Sequence, residues 1–505
     1  MNYPRWRAPT GEGELLVWSA GASLGEDAAA NRAMLDAAGL SIGGAQLRDL
    51  RRQNKAFISV PEGAAVVMTG HQVELHHAGV WVKNAVIHQA AQRLGEAGQE
   101  ARAVHLAVDT DQPKHLALRY PTETPEGWQM RGVPVSEEAG ACAWAGLLEM
   151  PTPMHLAGLV AELERLGSAW GYEMPAVGYL EVLRSLSLEA GPLVQHMTHA
   201  SHRLEWEMGL RHDALMASGV WASPGFLLFA HELASRAGEF AASYNAALAE
   251  YRSEKAIRSV GRPMPDLPTS DDRVELPFWL DHLSTGERTR PQVRRTGGRW
   301  VLSLPAGEMA FEAGRAAEDS VQELKQALRA SNCRLSPRAL TLTLFCRVFL
   351  ADLFVHGIGG GEYDQVTDRI VRRFFGIEPP VFAVATATMR PQPGVGRRKT
   401  ELPPVLLAGH KLEHQVLGGR KSEYLARLAR EPRRSAARRG VFFEMHAALR
   451  AARQTSLEVA QWQGALAAAK SAARDDPILL DRELFFAMHS RERLLGMIEK
   501  VGRSV

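Results

Sequence analysis

A cluster of histidines early in the chain has residue types and spacing that could perform chemistry. The segment Thr69-Gly70-His71-Gln72 is followed within a few residues by His76 and His77. Imidazole titrates near neutral pH, so one of these side chains could move a proton, and an imidazolium could stabilise charge that develops on a phosphate. A histidine here could equally cap a helix or bond a neighbouring carbonyl group. The sequence leaves both interpretations open.

The elements around the cluster predict where it lies. The apolar run at 64–68 is typical of a buried parallel strand, and Val80 to Arg93 has the pattern of a helix packed on a sheet. The cluster would form the turn between them, at a carboxyl edge where a helix N-terminus offers free N–H groups to anions. Gly79 opens this helix and Lys83 follows one turn later. The turn resembles a degenerate HxGH signature of class I nucleotidylyltransferases.

A second segment with acidic side chains is predicted to reach the same edge. The run at 103–108 indicates another buried strand, which would complete a βαβ unit with a right-handed crossover. Asp109 and Asp111 follow it, and because they alternate along an extended chain, only one can face a cleft. That carboxylate could bind a sugar hydroxyl, an amine or Mg²⁺, or could simply cap a helix. His115 lies just beyond.

A third segment is rich in glycine. Residues Gly357 to Glu362 contain four glycines, which would let the backbone approach a ligand and direct N–H groups to an anion. The apolar stretch from Thr341 to Val355 predicts a helix before this loop, and a second helix is expected from about Gln365, followed by a strand at 381–388. A simple turn is the alternative for the glycines, and a helix cap is the alternative for Glu362.

Composition limits the class of protein. The chain has 505 residues, 59 basic and 57 acidic side chains, and 46% hydrophobic residues, which predicts two or three domains with large cores and no general affinity for nucleic acid. The basic stretches 288–299 and 427–439 lack interleaved aromatic residues. The three cysteines predict reduced thiols and no disulfide framework. No signal peptide, membrane helix or metal-binding motif is evident, so we expect a cytoplasmic protein without a metal site.

In chain order, these segments resemble one family, the cysteine-adding ligase of bacillithiol biosynthesis (BshC). That family has a strand ending in TGQQ, an acidic segment with histidine, an SPN-like segment and a GGPGE turn. The corresponding residues are Thr69-Gly70-His71-Gln72 with Gly79 and Lys83, then Asp109, Asp111 and His115, and finally Ser336-Pro337-Arg338 with Gly359-Gly360-Gly361-Glu362. The chain departs from the pattern at His71 for glutamine, Arg338 for asparagine and Gly360 for proline, and Glu74 with His76 and His77 replaces a small, glycine-rich turn.

The resemblance implies an α/β fold with a Rossmann-like, parallel-sheet nucleotide-fold core, an inserted α+β connecting region and a C-terminal helical hairpin or coiled coil. We expect residues 1–112 to form the first part of the core with an N-terminal helical cap. Residues 113–330 would form a β-hairpin, a helical stretch at 155–260 and a β-rich piece at 274–304. Residues 331–404 would complete the core, with proline-rich linkers at 262–268 and 391–404, and residues 405–505 would be helical.

The function that the resemblance implies is ligation of an amino acid, cysteine in that family, to an amine-bearing small molecule such as an amino-sugar conjugate. A nucleotidylyltransferase and a noncatalytic nucleotide-binding scaffold are the alternatives. ATP or ADP, with Mg²⁺, is compatible with each, and the C-terminal helices would pair two copies. The predicted catalytic residues are His71, His76, Lys83 and Asp109. The predicted binding residues are Thr69, Gly70, Gln72, Gly79, Asp111, His115, Arg338, Gly359, Gly360, Gly361 and Glu362.

Overall fold

The computed structural model describes residues 3–124, 127–136, 142–259, 261–392, 402–472 and 476–505. Its strands are β1 (Glu14–Trp18), β2 (Ser41–Ile42), β3 (Ala45–Gln46), β4 (Ala65–Gln72), β5 (Ala101–Val108), β6 (Ala117–Thr124), β7 (Gly127–Pro134), β8 (Asp213–Met216), β9 (Arg273–Glu275), β10 (Phe278–His282), β11 (Glu287–Thr289), β12 (Gln292–Thr296), β13 (Arg299–Leu304), β14 (Gly307–Phe311), β15 (Cys333–Pro337), β16 (Leu353–His356) and β17 (Phe382–Thr388).

Its helices are α1 (Leu24–Ala37), α2 (Leu47–Phe57), α3 (Ala78–Glu96), α4 (Pro153–Trp170), α5 (Pro175–Ser185), α6 (Leu193–Glu207), α7 (Ala217–Val220), α8 (Pro224–Ser235), α9 (Ala237–Glu254), α10 (Ala317–Ala330), α11 (Ala339–Phe345), α12 (Ile358–Ile370), α13 (Leu402–Gln415), α14 (Gly419–Arg430), α15 (Ala436–Thr455), α16 (Leu457–Ala472), α17 (Asp476–Leu479) and α18 (Arg491–Ser504). Helices α11 and α12 each continue into a π-helical turn, at Cys346–Leu350 and Val371–Phe375.

The chain forms two compact units. The first contains residues 1–119, 132–390 and 482–505, and the second contains 120–131 and 391–481. The second unit therefore holds α13 to α17, whereas α18 belongs to the first and packs on α3. The division of the chain into segments 1–112, 113–330, 331–404 and 405–505 stays a prediction. Residues 393–401 of the linker predicted at 391–404 lie outside the described residues.

A six-stranded sheet forms the centre of the first unit. Its order is β1-β17-β16-β4-β5-β8, and all neighbouring pairs are parallel except β1 with β17. Helix α3 packs on β4, β5 and β17. Val66, Met68, Val104 and Leu106 belong to a large buried cluster that includes the apolar side chains of α8. The predicted mixed α/β class with a mostly parallel sheet is confirmed.

Besides β16, which lies in a stretch predicted to be helical, two of these strands were missed by the sequence analysis. Strand β8 lies within the stretch 155–260 that was predicted to be helical, and it pairs with β5. Strand β1 is an antiparallel edge strand whose side chains are only half-buried. Both strands are short, so neither gives a periodic hydrophobic pattern that stands out from its surroundings.

Two predicted boundaries were wrong. Strand β4 continues to Gln72, because the predicted turn residues keep their pairing with β5 up to Val108. The apolar stretch from Thr341 to Val355 is not one helix, since α11 ends at Phe345 and β16 begins at Leu353. A fully apolar run gives no period that separates a buried helix from a buried strand.

The predicted glycine loop is also different. Helix α12 begins at Ile358, so Gly359, Gly360 and Gly361 lie in its first turn. A β-carbon on Gly361 would lie 2.6 Å from Cγ2 of Val384, which explains the glycine by close packing of helix on sheet. This turn is therefore not the open anion-binding loop that the sequence predicted.

The β-rich piece of the first unit forms two small sheets. One has the order β11-β10-β15 and the other β14-β13-β12-β9. Among the described residues, no helix combines the length and apolar character needed to cross a membrane.

Candidate functional site

The predicted functional segments that follow β4, β5 and β16 meet at one edge of the parallel sheet. Thr69 is in register with both His105 of β5 and Val355 of β16, and its hydroxyl donates a hydrogen bond of 2.8 Å to the Val355 carbonyl. Gly70 and His71 therefore lie beside His356 and Gly357. The carboxyl ends of parallel strands share an edge, so this arrangement follows from register alone.

A group of imidazoles is packed at this edge. The His71 ring centre lies 4.0 Å from that of His76 and 4.1 Å from that of His105. The Nε2 atoms of His71 and His105 are buried and have no hydrogen-bond partner among the described residues. His105 was not predicted as a functional residue, because a histidine inside an apolar strand looks like an ordinary core residue.

These imidazoles are neutral at physiological pH. Burial, with a further contribution from the charge of Lys83, lowers the pKa of His76 to about 3. Burial lowers the pKa values of His71 and His105 well below the usual range for histidine. The prediction that an imidazolium stabilises phosphate charge is therefore not supported at neutral pH. Neutral imidazoles can still donate and accept hydrogen bonds.

Lys83 is the group at this edge that titrates near neutrality. Its side chain is 5% exposed, and its Nζ lies 3.5 Å from the carbonyl oxygen of Gly70. Within the described part of the chain, Lys83 makes no ion pair with a carboxylate. Burial alone lowers its pKa to about 7, so the amine is about half protonated at neutral pH.

On the β16 side, a buried polar network holds His356. Its Nε2 lies 2.9 Å from Oδ2 of Asp364, and that carboxylate also accepts hydrogen bonds from Thr343 and Arg347. Burial acts to raise the pKa of Asp364, but Arg347 and His356 outweigh it and hold the pKa well below its usual range. His356 was missed as a site residue, although its position before the glycines at a strand end was a usable signal.

A cavity of about 480 Å³ opens beside the imidazoles in the first unit. Its polar lining has charges of both signs, and burial raises the pKa of Glu74. A hydrogen bond from Leu75 N to the His115 carbonyl joins the segments after β4 and β5. The lining includes Gln72, Glu74, His76, His77, Lys114, His115, Arg119, Ser136, Glu483 and Phe485.

Several predicted site residues have structural partners. Asp109 is buried, and its Oδ1 accepts a hydrogen bond of 2.8 Å from Ser218 N in α7. Asp111 accepts a hydrogen bond from the side chain of Gln72. The side chain of His77 caps α3 by accepting from Gly79 N at 3.0 Å. These contacts hold the loops at the edge of the sheet in place.

The remaining predicted residues lie around or outside the imidazole group. A β-carbon on Gly79 would lie 2.7 Å from the Ala387 carbonyl, so this glycine allows α3 to approach β17. Gly360 packs against the ring of His356. Glu362 contributes to a raised pKa of Tyr251 in α9, second to burial. Arg338 forms an ion pair with Glu275 beside the three-stranded sheet.

No protein-family model matches the chain, and a search of curated proteins finds no similar sequence. Within the described ranges, no group of three or more His, Cys, Asp or Glu side chains has the geometry to hold a metal ion. The arrangement is therefore characterised by its own chemistry: a buried amine with a pKa near neutrality, neutral imidazoles, and a cavity with charged and apolar lining residues at one sheet edge.

Proposed function

We propose that this protein is an enzyme with a Rossmann-like core that joins an amino acid to an amine-bearing small molecule, as the resemblance to BshC implies. The observation that carries the proposal is the position of Lys83, His71 and His76 at the edge where β4, β5 and β16 end. A cavity of small-molecule size, lined by charged and apolar side chains, adjoins these residues.

Strand order supports the Rossmann-like assignment. Taken in chain order, the parallel strands β4, β5, β8, β16 and β17 occupy the spatial order 3-2-1-4-5. In doubly wound folds with this order, ligands bind where the chain reverses direction across the sheet. Here that point lies between β4 and β16, next to His71 and His356.

The reaction requires an uncharged attacking amine and an activated carboxyl group. Lys83, with a pKa of about 7, is the residue that accepts the proton released when the substrate nitrogen forms the new C–N bond. His76 lines the cavity and lies close enough to Lys83 for the lysine charge to lower its pKa. Its neutral ring accepts the proton at one nitrogen while the other nitrogen gives up its own proton towards Lys83. The carboxyl oxygen leaves with the phosphoryl or nucleotidyl group that had activated it.

ATP fits this scheme as the donor of the activating group. Mg²⁺ fits less well, because Asp109 and Asp111 already bond Ser218 and Gln72. No step is assigned to the metal ion.

The test is a turnover assay with ATP, cysteine and an amino-sugar conjugate, read by mass spectrometry. We expect a product whose mass equals the sum of the two substrates less water, and loss of that product in Lys83→Met. Lys325→Met, which removes a lysine from α10, is the matched control. Pyrophosphate release without a conjugate would instead indicate a nucleotidylyltransferase. Nucleotide binding with neither product would indicate a noncatalytic scaffold.

We also propose that the helical second unit pairs two copies of the chain. Its small internal core contains Leu428, Val441 and Met445 from α14 and α15. Large apolar side chains on α15 and α16 remain exposed, with Phe443 66% and Leu457 73% accessible. An apolar surface of this kind is typical of an interface between subunits.

A further inference from the structure

One face of the sheet β11-β10-β15 carries arginine and tryptophan side chains. Along β10, Phe278 and Leu280 are buried in the main core, so the alternating residues Trp279 and Asp281 point to the opposite face. Asp281 is in register with Arg288 on one neighbouring strand and Arg334 on the other. Five residues, Trp279, Arg288, Arg290, Arg334 and Arg338, define the arginine–tryptophan face.

The guanidinium groups of this face lie against indole rings. The Cζ atoms of Arg288, Arg290 and Arg338 lie 5.4, 5.5 and 5.5 Å from the centre of the Trp279 ring. Arg334 lies 5.6 Å from the ring of Trp144. Contacts at these distances are cation–π interactions, which hold each guanidinium plane near a flat aromatic surface.

The face has more positive than negative charge. Asp281 is fully buried and accepts hydrogen bonds from Arg288 at 2.7 Å and Arg334 at 2.9 Å, and Arg338 pairs with Glu275. Arg290 is exposed, and it has no carboxylate partner among the described residues. Four guanidinium groups therefore face two carboxylates, which leaves an excess positive charge centred on Arg290.

This charged face adjoins the edge of the parallel sheet. Nη2 of Arg288 donates a hydrogen bond of 2.6 Å to the carbonyl of Thr110, directly after β5. The next residue, Asp111, bonds Gln72 at the end of β4. A ligand held on the face would thus lie next to the loop that borders the imidazoles.

We propose that the arginine–tryptophan face binds a nucleoside phosphate. Guanidinium groups match phosphate oxygens in geometry and charge, and a partly exposed indole provides a surface on which a purine base stacks. The phosphates contact Arg290 and its neighbours, and the base lies against Trp279. The inference concerns binding only, and it does not require the ligase reaction.

Isothermal titration of the full-length protein with ADP, adenosine and inorganic pyrophosphate tests this site. We expect ADP to bind at least about tenfold more tightly than either fragment, because each fragment keeps only half of the contacts. Arg290→Ala should weaken ADP binding by about tenfold, since it removes a charge-assisted hydrogen bond to phosphate. Trp279→Leu should weaken binding of ADP more than binding of pyrophosphate, because it removes the stacking surface for the base as well as the ring against which the guanidinium groups lie.

The control is Arg294→Ala, which removes a partly exposed arginine from the neighbouring β12, where it pairs with Glu308. Its ADP affinity should stay within about twofold of the parent. Absence of ADP binding at millimolar concentration, unchanged affinity in Arg290→Ala, or equal affinity for pyrophosphate and ADP would overturn the proposal. Lys83→Met reports separately on the reaction, because it should lose turnover while retaining ADP affinity.

Discussion

The Nζ atom of Lys83 lies 3.5 Å from the carbonyl oxygen of Gly70, so a helix side chain reaches the end of the neighbouring strand. Lys83, on the second turn of α3, therefore lies close to the imidazoles of His71 on β4 and His105 on β5. Because no carboxylate among the described residues pairs with it, burial is free to lower its pKa to about 7. This relationship leads to the first three predictions.

The rate of the proposed reaction should rise with pH and level off above pH 7. Lys83 accepts a proton only when its amine is neutral, and with a pKa of about 7 this form increases through that range. We expect a single ionisation in the pH profile of kcat for the parent, to be measured by product formation between pH 5.5 and 9. A kcat independent of pH across this range would contradict the assignment of Lys83 as proton acceptor.

The free energy of unfolding should depend on Lys83 in a pH-dependent way. The folded-state pKa of about 7 lies below the unfolded value of about 10.4, so the unfolded chain binds more protons between these values. Stability due to this residue must therefore rise with pH from about 7 to about 10. Comparing urea unfolding of the parent and Lys83→Met at pH 7, 8 and 9 isolates the effect. We expect the free energy of unfolding of Lys83→Met to exceed that of the parent by the largest margin at pH 7. For Lys325→Met, the difference from the parent should not change with pH in this way.

The imidazole of His76 should stay neutral down to pH 4 and should respond to Lys83. Burial is the larger cause of its pKa of about 3, and the lysine charge lowers it further. Lys83→Met should therefore raise the pKa of His76, which NMR titration of the ring protons can measure. His231 on α8, whose pKa burial lowers to about 4 and which Lys83 does not influence, provides a control whose pKa should be the same in both proteins. A His76 that titrates near pH 6.5 in the parent would refute the described environment.

Replacing Asp364 by asparagine should be strongly destabilising. Its carboxylate accepts hydrogen bonds from Arg347, His356 and Thr343 in a fully buried network, and the change leaves the Arg347 charge with less compensation. Loss of one partner of a buried ion pair costs about 3–5 kcal/mol. Glu312→Gln, which breaks an exposed pair with Arg299, should cost less than about 1 kcal/mol in the same denaturant titration. Equal effects of the two changes would show that the network adds no stability.

Phe443→Glu should make the protein monomeric if the second unit pairs two copies. Phe443 is largely exposed on α15, so a charge there should disturb an interface without disturbing the fold. Light scattering after gel filtration gives the molecular mass, with Glu444→Gln on the adjacent position as the control. A parent protein that is already a monomer at micromolar concentration would disprove the pairing.

Part of the candidate site was predictable from local sequence patterns. Apolar runs ending in glycine or aspartate located β4 and β5, and the small residues after His77 located the start of α3. These patterns also placed His71, His76 and Lys83 near a strand end. The neutral state of the imidazoles was not predictable, because it depends on burial by residues distant in sequence.

Other features depended on long-range register. His105 and His356 belong to the candidate site because their strands, β5 and β16, lie beside β4 in the sheet. No local sequence pattern specifies that β16 becomes the neighbour of β4. The basic stretch near Arg288 lacked aromatic residues in sequence. Pairing of β10 with β11 brings Trp279 beside it, and this contact is the basis of the proposed binding face.

The sequence by itself determined the α/β class, the strand–helix–strand unit around α3 and the presence of titratable groups at its ends. The reason is that the spacing of apolar residues and the positions of glycines specify secondary structure through residues that are close together in the chain. Tertiary structure alone decided the strand order, the near-neutral amine of Lys83 and the assembly of the arginine–tryptophan face. The physical reason is that a pKa and a binding surface depend on which side chains are neighbours in space. Those neighbours come from strands that are far apart in the chain.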